Sequence, residues 1–361
     1  MRLLIVIDDP QLPSSRVSAL QYVELLKASG WDVDVFALRD PELLRQQERL
    51  RHVTRRLRVS RVGVRWADRM SRQHEENLMK RAAYADVIYV VKAPHLHMLE
   101  RLAAIPSSKL LFHVSDAFWL PFLQQHGWGS VNEMLRIADG ITTTNEYTAR
   151  HIRPHNPNVF IVPDCPQVED FDAHRHEPRE RGEDVVVGWI GTPLTATGLF
   201  RIWEPLERLA EEHSGWHLRL VGVGSGQHRI NVPRFEKVRW SARDWYDHRS
   251  MIDEVLRMDI GLFPLFRGDD ALARGALKAL IYMSGEAAVV AQRYGEAQVI
   301  IEDGVNGMLA DNDIEWHEQL LYLIEHPDER RAMTVRGLAT VREGYSRAAT
   351  FERLRYAIES V

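Results

Sequence analysis

Short apolar runs recur along the chain, each closed by a glycine, proline or polar turn. Leu3–Ile7, Val33–Ala37, Val87–Val91, Leu110–His113, Ile141–Thr144 and Val159–Val162 fall in the first half. Val185–Ile190, Leu218–Val223, Ile260–Leu265 and Ala288–Ala291 fall in the second. These runs are continuous rather than alternating, the pattern of strands buried on both faces of a parallel sheet. Between them lie stretches with apolar residues at helical spacing. One runs from about Arg16 to Ser29 and stops at Gly30. Another runs from about Thr197 to His213, and a third opens near Arg274 and stops at Gly285. Strand and helix alternate throughout, which predicts two α/β halves built from βαβ units. The stretch Asp164–Asp184, rich in proline, histidine and charge, has linker composition. The expected layout is a first domain over 1–165, a linker over 166–184, a second domain over 185–345, and an amphipathic terminal helix over 346–361.

Composition narrows the class. The chain has 361 residues, 45% apolar and 27% charged, with net charge −5. That is an ordinary globular composition, large enough for two domains. The negative balance excludes a generally basic nucleic-acid binder. A single cysteine, Cys165, rules out an internal disulfide framework and fits a reducing, cytoplasmic compartment. The opening MRLLIVIDDPQ turns acidic too soon for a signal peptide and reads as a first strand. No run of 18 apolar residues is present, so no transmembrane helix is expected.

Residues 39–81 depart from this average. They hold thirteen Arg/Lys against six Asp/Glu, a local balance of +7. Leu50, Val53, Leu57, Val59, Val62, Val64 and Trp66 are interspersed. Such a segment suits peripheral contact with an anionic membrane face. It equally suits an anionic or lipid-diphosphate acceptor, or a solvated helical face. RNA is a lesser fit, because no aromatic stacking platform lies beside the charge.

Candidate chemistry concentrates in 259–311. Arg274 and Lys278 are four apart, so on one helix they would share a face near its N-terminus. Two cations and unpaired N–H groups suit a diphosphate; a solvated charge pair on an amphipathic helix is the plainer alternative. Asp269 and Asp270, just upstream, suit sugar or ribose hydroxyls. After the first strand the dinucleotide pattern G-x-G-x-x-G is absent, which argues against NAD. Ser14, Ser15 and Arg16 stand there instead, either facing a ligand or forming a serine cap with a surface arginine. His113 and Asp116 follow a strand end, where open parallel sheets bind ligands; a histidine simply hydrogen-bonded into the structure is the alternative. The pairs His95/His97 and His174/His176 lack a third ligand at a convincing spacing, so no metal site is expected.

The block also resembles the donor-binding region of GT-B glycosyltransferases, in particular the large family-4-like group. The resemblance is carried by DIGLFPL (259–265), KALIYM (278–283), GEAAVVA (285–291), YGE (294–296) and IIEDGVNGMLA (300–310), with EWHEQL (315–320), HPDERR (326–331) and VREGYS (341–346) downstream. It covers roughly 185–361 and extends more weakly before that. It implies two Rossmann-like domains facing a cleft, acceptor on the first and donor on the second, with the terminal helix packing back on the first. It implies transfer of a sugar from a UDP- or GDP-linked donor to a hydroxyl of a glycan, lipid-linked or small-molecule acceptor, with retention and with protein cations in place of a metal. Polysaccharide or glycoconjugate assembly, at or near the inner membrane face, is the implied setting. No cofactor beyond the nucleotide-sugar co-substrate is implied.

Carried onto this chain, the resemblance places Gly191, Thr192 and Thr195 at the donor phosphates and the turn Gly222–Gly226, with Gly222 and Gly224, near the base. It places Ser15 and Arg16 near the phosphates or acceptor, Glu296 at the donor, and His113 and Asp116 at the donor sugar or acceptor hydroxyl. Two glutamates eight apart are usual in the family. Matching on Tyr282–Met283 puts Ala273 and Ile281 there, so both carboxylates are missing. Either Asp269 or Asp270 substitutes, or this branch uses backbone contacts, or activity is degenerate. Beside the transferase stand a non-catalytic GT-B subunit of a glycosylation complex, which the missing carboxylates suggest, and, as a third reading, a sugar-nucleotide epimerase.

Overall fold

The computed structural model describes residues 1–56, 60–178, 182–193, 195–223, 237–241 and 247–361. Two compact units emerge: Met1–Val162 with Phe351–Val361, and Pro163–Thr350. Each is a six-stranded parallel sheet flanked by helices.

In the first unit the strands are β1 (Arg2–Ile7), β2 (Asp32–Ala37), β3 (Val87–Val91), β4 (Lys109–His113), β5 (Gly140–Thr143) and β6 (Val159–Ile161). Their order is β2-β1-β3-β4-β5-β6, so the winding reverses between β1 and β3. Every pairing is parallel; Leu3 pairs with Val33 on one side and Val87 on the other. β1 and β3 are buried along nearly their whole length, which is why they read as unbroken apolar runs. Leu4, Val6, Ile88, Val90, Leu110 and Phe112 pack with Leu78, Leu99 and Leu135 of the flanking helices. From the C-terminal segment, Phe351 stacks on Tyr22 at 6.4 Å between ring centroids, and Tyr356 meets Phe160 edge-on at 6.0 Å.

The basic segment forms two helices, Pro41–Arg56 and Ser60–Ala82. Buried Gln47 ties them, donating to Ala67 O at 3.2 Å and Ser71 Oγ at 3.0 Å. Val64 and Trp66 are exposed, 51% and 54% accessible, beside Arg65 and Arg69. Leu57 and Val59 lie outside the described residues.

In the second unit the strands are β7 (Val185–Ile190), β8 (Trp216–Val221), β9 (Val238–Ser241), β10 (Ile260–Phe263), β11 (Ala288–Gln292) and β12 (Met308–Ala310). The order is β12-β11-β10-β7-β8-β9, again all parallel, and it reverses between β7 and β10. Crevices at such reversals, beyond the carboxyl ends of the strands, are where open α/β sheets bind ligands. One core layer collects Phe263, Leu280, Tyr282, Val289 and Leu309; the other collects Trp189, Leu206, Leu218, Leu262 and Trp316. The helix Asp313–Glu325 opens on a reciprocal cap. Glu315 N donates to Asn312 Oδ1 at 3.0 Å, and Asn312 Nδ2 donates to Glu315 Oε1 at 2.8 Å.

Several expectations need correction. The stretch of linker composition, 166–184, contains the helix Val168–His174, which belongs to the second unit. Only Val168 and Phe171, three apart, carry its apolar face into the core, too few to outweigh the surrounding charge in a reading by composition. Its polar side is secured by an ion pair of Asp172 with Arg342 at 2.9 Å and a hydrogen bond between Asp170 Oδ2 and His248 Nε2 at 2.8 Å. The helix placed at 16–29 is three pieces, Pro13–Ser18, a 3-10 turn at Leu20–Tyr22, and Val23–Ala28. A third break falls at Arg274, where it reshapes the site.

Candidate functional site

The site in the second unit is assembled at the reversal between β7 and β10. Gly191 follows β7 directly. The turn beyond it is held by Thr195, whose hydroxyl donates to Thr192 O at 3.1 Å and accepts from Thr192 N at 3.2 Å. The same oxygen accepts a hydrogen bond from Lys278 Nζ at 3.1 Å. That ammonium also lies 4.4 Å from the centroid of the Trp189 ring, over its face. A Cβ on Gly191 would come 2.7 Å from Lys278 Nζ, 2.7 Å from Thr195 Oγ1 and 2.6 Å from Trp189 Cη2. Only glycine therefore lets the backbone here pass so close to a lysine, a threonine and a tryptophan, which together form a polar cradle at the strand end.

Lys278 is the electrostatic centre of this cradle. Burial, and then the nearby Arg274 guanidinium, push its pKa from the ordinary lysine value down to about 7. A hydroxyl and a ring face are modest compensation for lost hydration. An incoming dianion would restore full charge to this lysine.

Arg274 does not share a helix face with Lys278. A short helix, Asp269–Ala273, ends at Arg274, whose backbone is extended; the next helix, Leu277–Ser284, begins three residues later. Asp269 and Asp270 lie in the first turn of the short helix, exposed, and Asp270 pairs with Arg274 at 2.7 Å. The break falls at Gly275, where a Cβ would sit 3.0 Å from Asp164 Oδ2. Lys278 still occupies the first turn of its helix, but Arg274 approaches from the preceding turn.

Glu296 precedes the short helix Ala297–Ile300 and is half-buried. Burial, and then the Asp164 carboxylate, raise its pKa to about 6. Next to it, a Cβ on Gly295 would meet Ala271 O at 3.0 Å, so this loop lies directly on the short acidic helix. Asp164 carries no local sequence sign of this placement, lying in a stretch of linker composition. Ala273 and Ile281, at the family's two glutamate positions, are both buried, 0% and 5% accessible. Gly222 ends β8 in a left-handed conformation, φ 85°, as a glycine turn requires. Gly224, and with it the turn through Gly226, lies outside the described residues.

The first unit holds a separate polar group at the carboxyl ends of its central strands. His113, the last residue of β4, is 2% accessible, and its Nδ1 is 3.0 Å from Thr142 Oγ1 on β5. The imidazole is held neutral, its pKa lowered to about 3 by burial and then by Lys92, with Asp116 opposing. Lys92 takes a left-handed conformation, φ 50°, just after β3 and pairs with Asp116 at 3.2 Å. Strain of this kind in a non-glycine residue is typical of functional sites. Ser15 and Arg16 also belong to this unit. They sit inside the helix Pro13–Ser18, whose cap position is Leu12; Ser15 is buried and caps nothing. The expected serine cap is thus replaced by a Pro13 start. Among the described residues, no three His, Cys, Asp or Glu side chains gather as metal ligands, and no helix is long and apolar enough to cross a membrane.

Two parallel six-stranded α/β units of this kind define the GT-B fold, and comparison with solved structures gives the same class. A glycosyltransferase from Rickettsia africae aligns over 99% of this chain and 98% of its own, with TM-score 0.69 and 12% identity. A UDP-forming trehalose-phosphate synthase from Burkholderia vietnamiensis aligns over 100% and 99%, at TM-score 0.67 and 13% identity. Anabaena HepE, in a complex with UDP-glucose, aligns over 99% and 100%, at TM-score 0.64 and 12% identity. At this identity the likeness is one of fold. No family model matches the sequence, and no curated protein is similar to it.

Proposed function

We propose that the protein is a glycosyltransferase that takes a sugar from a nucleoside-diphosphate sugar to a hydroxyl acceptor. The observation that carries this reading is the Gly191–Thr192–Thr195–Lys278 cradle at the β7/β10 reversal. Its backbone at Gly191 carries no side chain, and its one ammonium is short of counter-charge, so its best guest is a diphosphate. Arg274 adds a second cation, and the two neutralise the leaving nucleoside diphosphate as the glycosidic bond breaks. Protein cations then serve in place of a metal, and retention at the anomeric carbon follows the family resemblance. The structures of the same fold, one holding UDP-glucose and another named for forming UDP, support a uridine nucleotide as the first candidate. Glu296, with Asp164 nearby, supplies carboxyl groups in a unit where Ala273 and Ile281 supply none. In the first unit, His113 and the Lys92–Asp116 pair are the groups assigned to the acceptor hydroxyl.

The lysine makes donor binding depend on pH. A bound diphosphate keeps its charge across the neutral range, so a tight complex needs Lys278 protonated. Below about pH 7 the free protein already carries that proton. Above it, each complex must take one up, and affinity falls by up to about tenfold per pH unit. Titration calorimetry with UDP-glucose at pH 6 and pH 8.5 should show weaker binding at the higher pH, with proton uptake there. The reading fails if neither UDP- nor GDP-linked sugars bind at pH 6.

The apolar residues at 273 and 281 favour a second reading, a non-catalytic subunit that binds nucleotide sugar and stops there. Binding without release of nucleotide in the presence of acceptor extract would select it. Turnover without acceptor would point to an epimerase.

Residues 39–81 we assign to peripheral contact with an anionic membrane face. Exposed Trp66 and Val64 beside Arg65 and Arg69 support this. Reversing Arg65, Arg69 and Arg72 to glutamate should weaken binding to phosphatidylserine vesicles in a low-salt sedimentation assay by roughly a hundredfold or more, at about 1 kcal/mol per charge. Unchanged sedimentation removes the assignment.

A further inference from the structure

Four groups in the first unit form a buried line of hydrogen bonds: Ser18 O, Tyr89 OH, Thr142 Oγ1 and His113 Nδ1. Tyr89 OH is 3.3 Å from Ser18 O and 3.2 Å from Thr142 Oγ1, which is 3.0 Å from His113 Nδ1. At the far end, His113 Nε2 is buried and has no hydrogen-bond partner among the described residues. Tyr89, Thr142 and His113 are all at most 2% accessible. An orphaned polar atom at that depth costs about 1–3 kcal/mol, so it is retained for a reason.

The protons along this line can be counted. Ser18 is the last residue of the helix Pro13–Ser18, so its carbonyl lacks a helical partner and can only accept. If the phenol donates to it, the phenol oxygen is left to accept from Thr142. The Thr142 oxygen then accepts from His113 Nδ1–H. This direction makes three hydrogen bonds. The opposite direction sends the phenol proton to Thr142 and the Thr142 proton to Nδ1. It makes two and leaves the Ser18 carbonyl without the phenol. The first direction wins by one bond in a site screened from water, where each bond is worth most.

We propose that Tyr89 and Thr142 are positioning residues that hold His113 in the Nδ1–H tautomer, so that Nε2 presents a bare lone pair to the ligand. The ligand group that meets Nε2 must then be a hydrogen-bond donor, a hydroxyl or an amine. Phosphate and carboxylate oxygens, which only accept, are excluded from this position. Identifying that donor as a sugar hydroxyl rests on the transferase reading; the tautomer does not. The ring stays neutral throughout, with Lys92 and Asp116 the charged groups facing it, so His113 orients a hydroxyl rather than removing its proton as a strong base.

Long-range proton–nitrogen correlation spectra of uniformly labelled protein read the tautomer directly. The chain has 16 histidines, so the His113 signals are picked out by their loss in His113→Asn. The expected native pattern has Nδ1 at the protonated and Nε2 at the unprotonated nitrogen position. Tyr89→Phe keeps the ring and removes the relay's acceptor. The Thr142 proton then turns to Nδ1, and the tautomer should reverse to Nε2–H. Thr142→Ser should keep the native pattern, whereas Thr142→Val should lose it. A native Nε2–H form, a native mixture, or an unchanged tautomer in Tyr89→Phe overturns the proposal. None of these readings depends on nucleotide-sugar binding, so failure here and failure of the transferase reading are separate results.

Discussion

Lys278→Met is expected to abolish donor binding while making the free protein more stable. The binding loss follows from removing the one ammonium in the cradle. Truncating one partner of a buried, hydrogen-bonded charge pair costs about 2–5 kcal/mol, so UDP-glucose affinity should drop roughly a hundredfold or more. The stability gain follows from the lysine's low pKa of about 7. A lysine depressed in the folded state binds fewer protons there than in the unfolded chain, between about 7 and the ordinary value of 10.5. Its contribution to stability is therefore complete above 10.5 and is lost as pH falls through about 7. At pH 6 the partly buried ammonium opposes folding. Methionine is close in length, carries no charge, and suits the Trp189 face. Thr195 is not orphaned by the change, since it still donates to Thr192 O and accepts from Thr192 N. A gain of about 1–3 kcal/mol at pH 6, a few degrees in melting temperature, is expected, shrinking toward pH 10. Thermal unfolding at the two pH values, paired with calorimetry, checks both halves. A variant that is less stable at pH 6 and still binds donor would show that Lys278 is an ordinary structural lysine.

This opposition of stability and binding also marks the limit of what the sequence could reveal. The strands were legible because burial on both faces leaves a one-dimensional signature: Leu3–Ile7 and Val185–Ile190 are apolar at nearly every position. The glycine and threonines after β7 were legible because a strand end followed by Gly-Thr is a local feature. The approach of Lys278 to that turn spans 83 residues and needed the fold. The helix break at Arg274 was hidden because DDALARGALKALIYM keeps a helical rhythm straight through Gly275. At the break, Asp164, more than a hundred residues upstream, lies 3.0 Å from where a Cβ on Gly275 would be. The relay from Ser18 to His113 is likewise invisible in sequence, since its four members come from one helix and three strands. β12, three residues long, is too short to stand out from the glycine-rich loop that precedes it.

The largest stability loss is expected at Gly261, for a reason that no local pattern carries. Gly261 lies in β10, buried, between Gly188 of β7 and Val289 of β11. A Cβ there would fall 2.2 Å from Cγ of Tyr282 and 2.6 Å from both Cδ atoms. The ring cannot swing aside at low cost. It is fully buried, and its hydroxyl accepts a hydrogen bond from Ile190 N at 3.0 Å, at the end of β7. Moving the ring would break that bond beside the ligand cradle, and moving the strand would break pairing on both sides. Overpacking in cores usually costs about 1–3 kcal/mol, and a site pinned from three directions belongs at or above the top of that range. Gly261→Ala should therefore lose about 3 kcal/mol or more in urea unfolding. It should also weaken donor binding, because Ile190 leads directly into Gly191. Gly344→Ala is the control: it ends a helix, nothing lies within 4 Å of its added Cβ, and alanine there should be neutral or slightly stabilising. Equal stability of the two variants would mean that the Tyr282 ring has room the structure does not show, and would remove the link from β10 packing to the shape of the cradle.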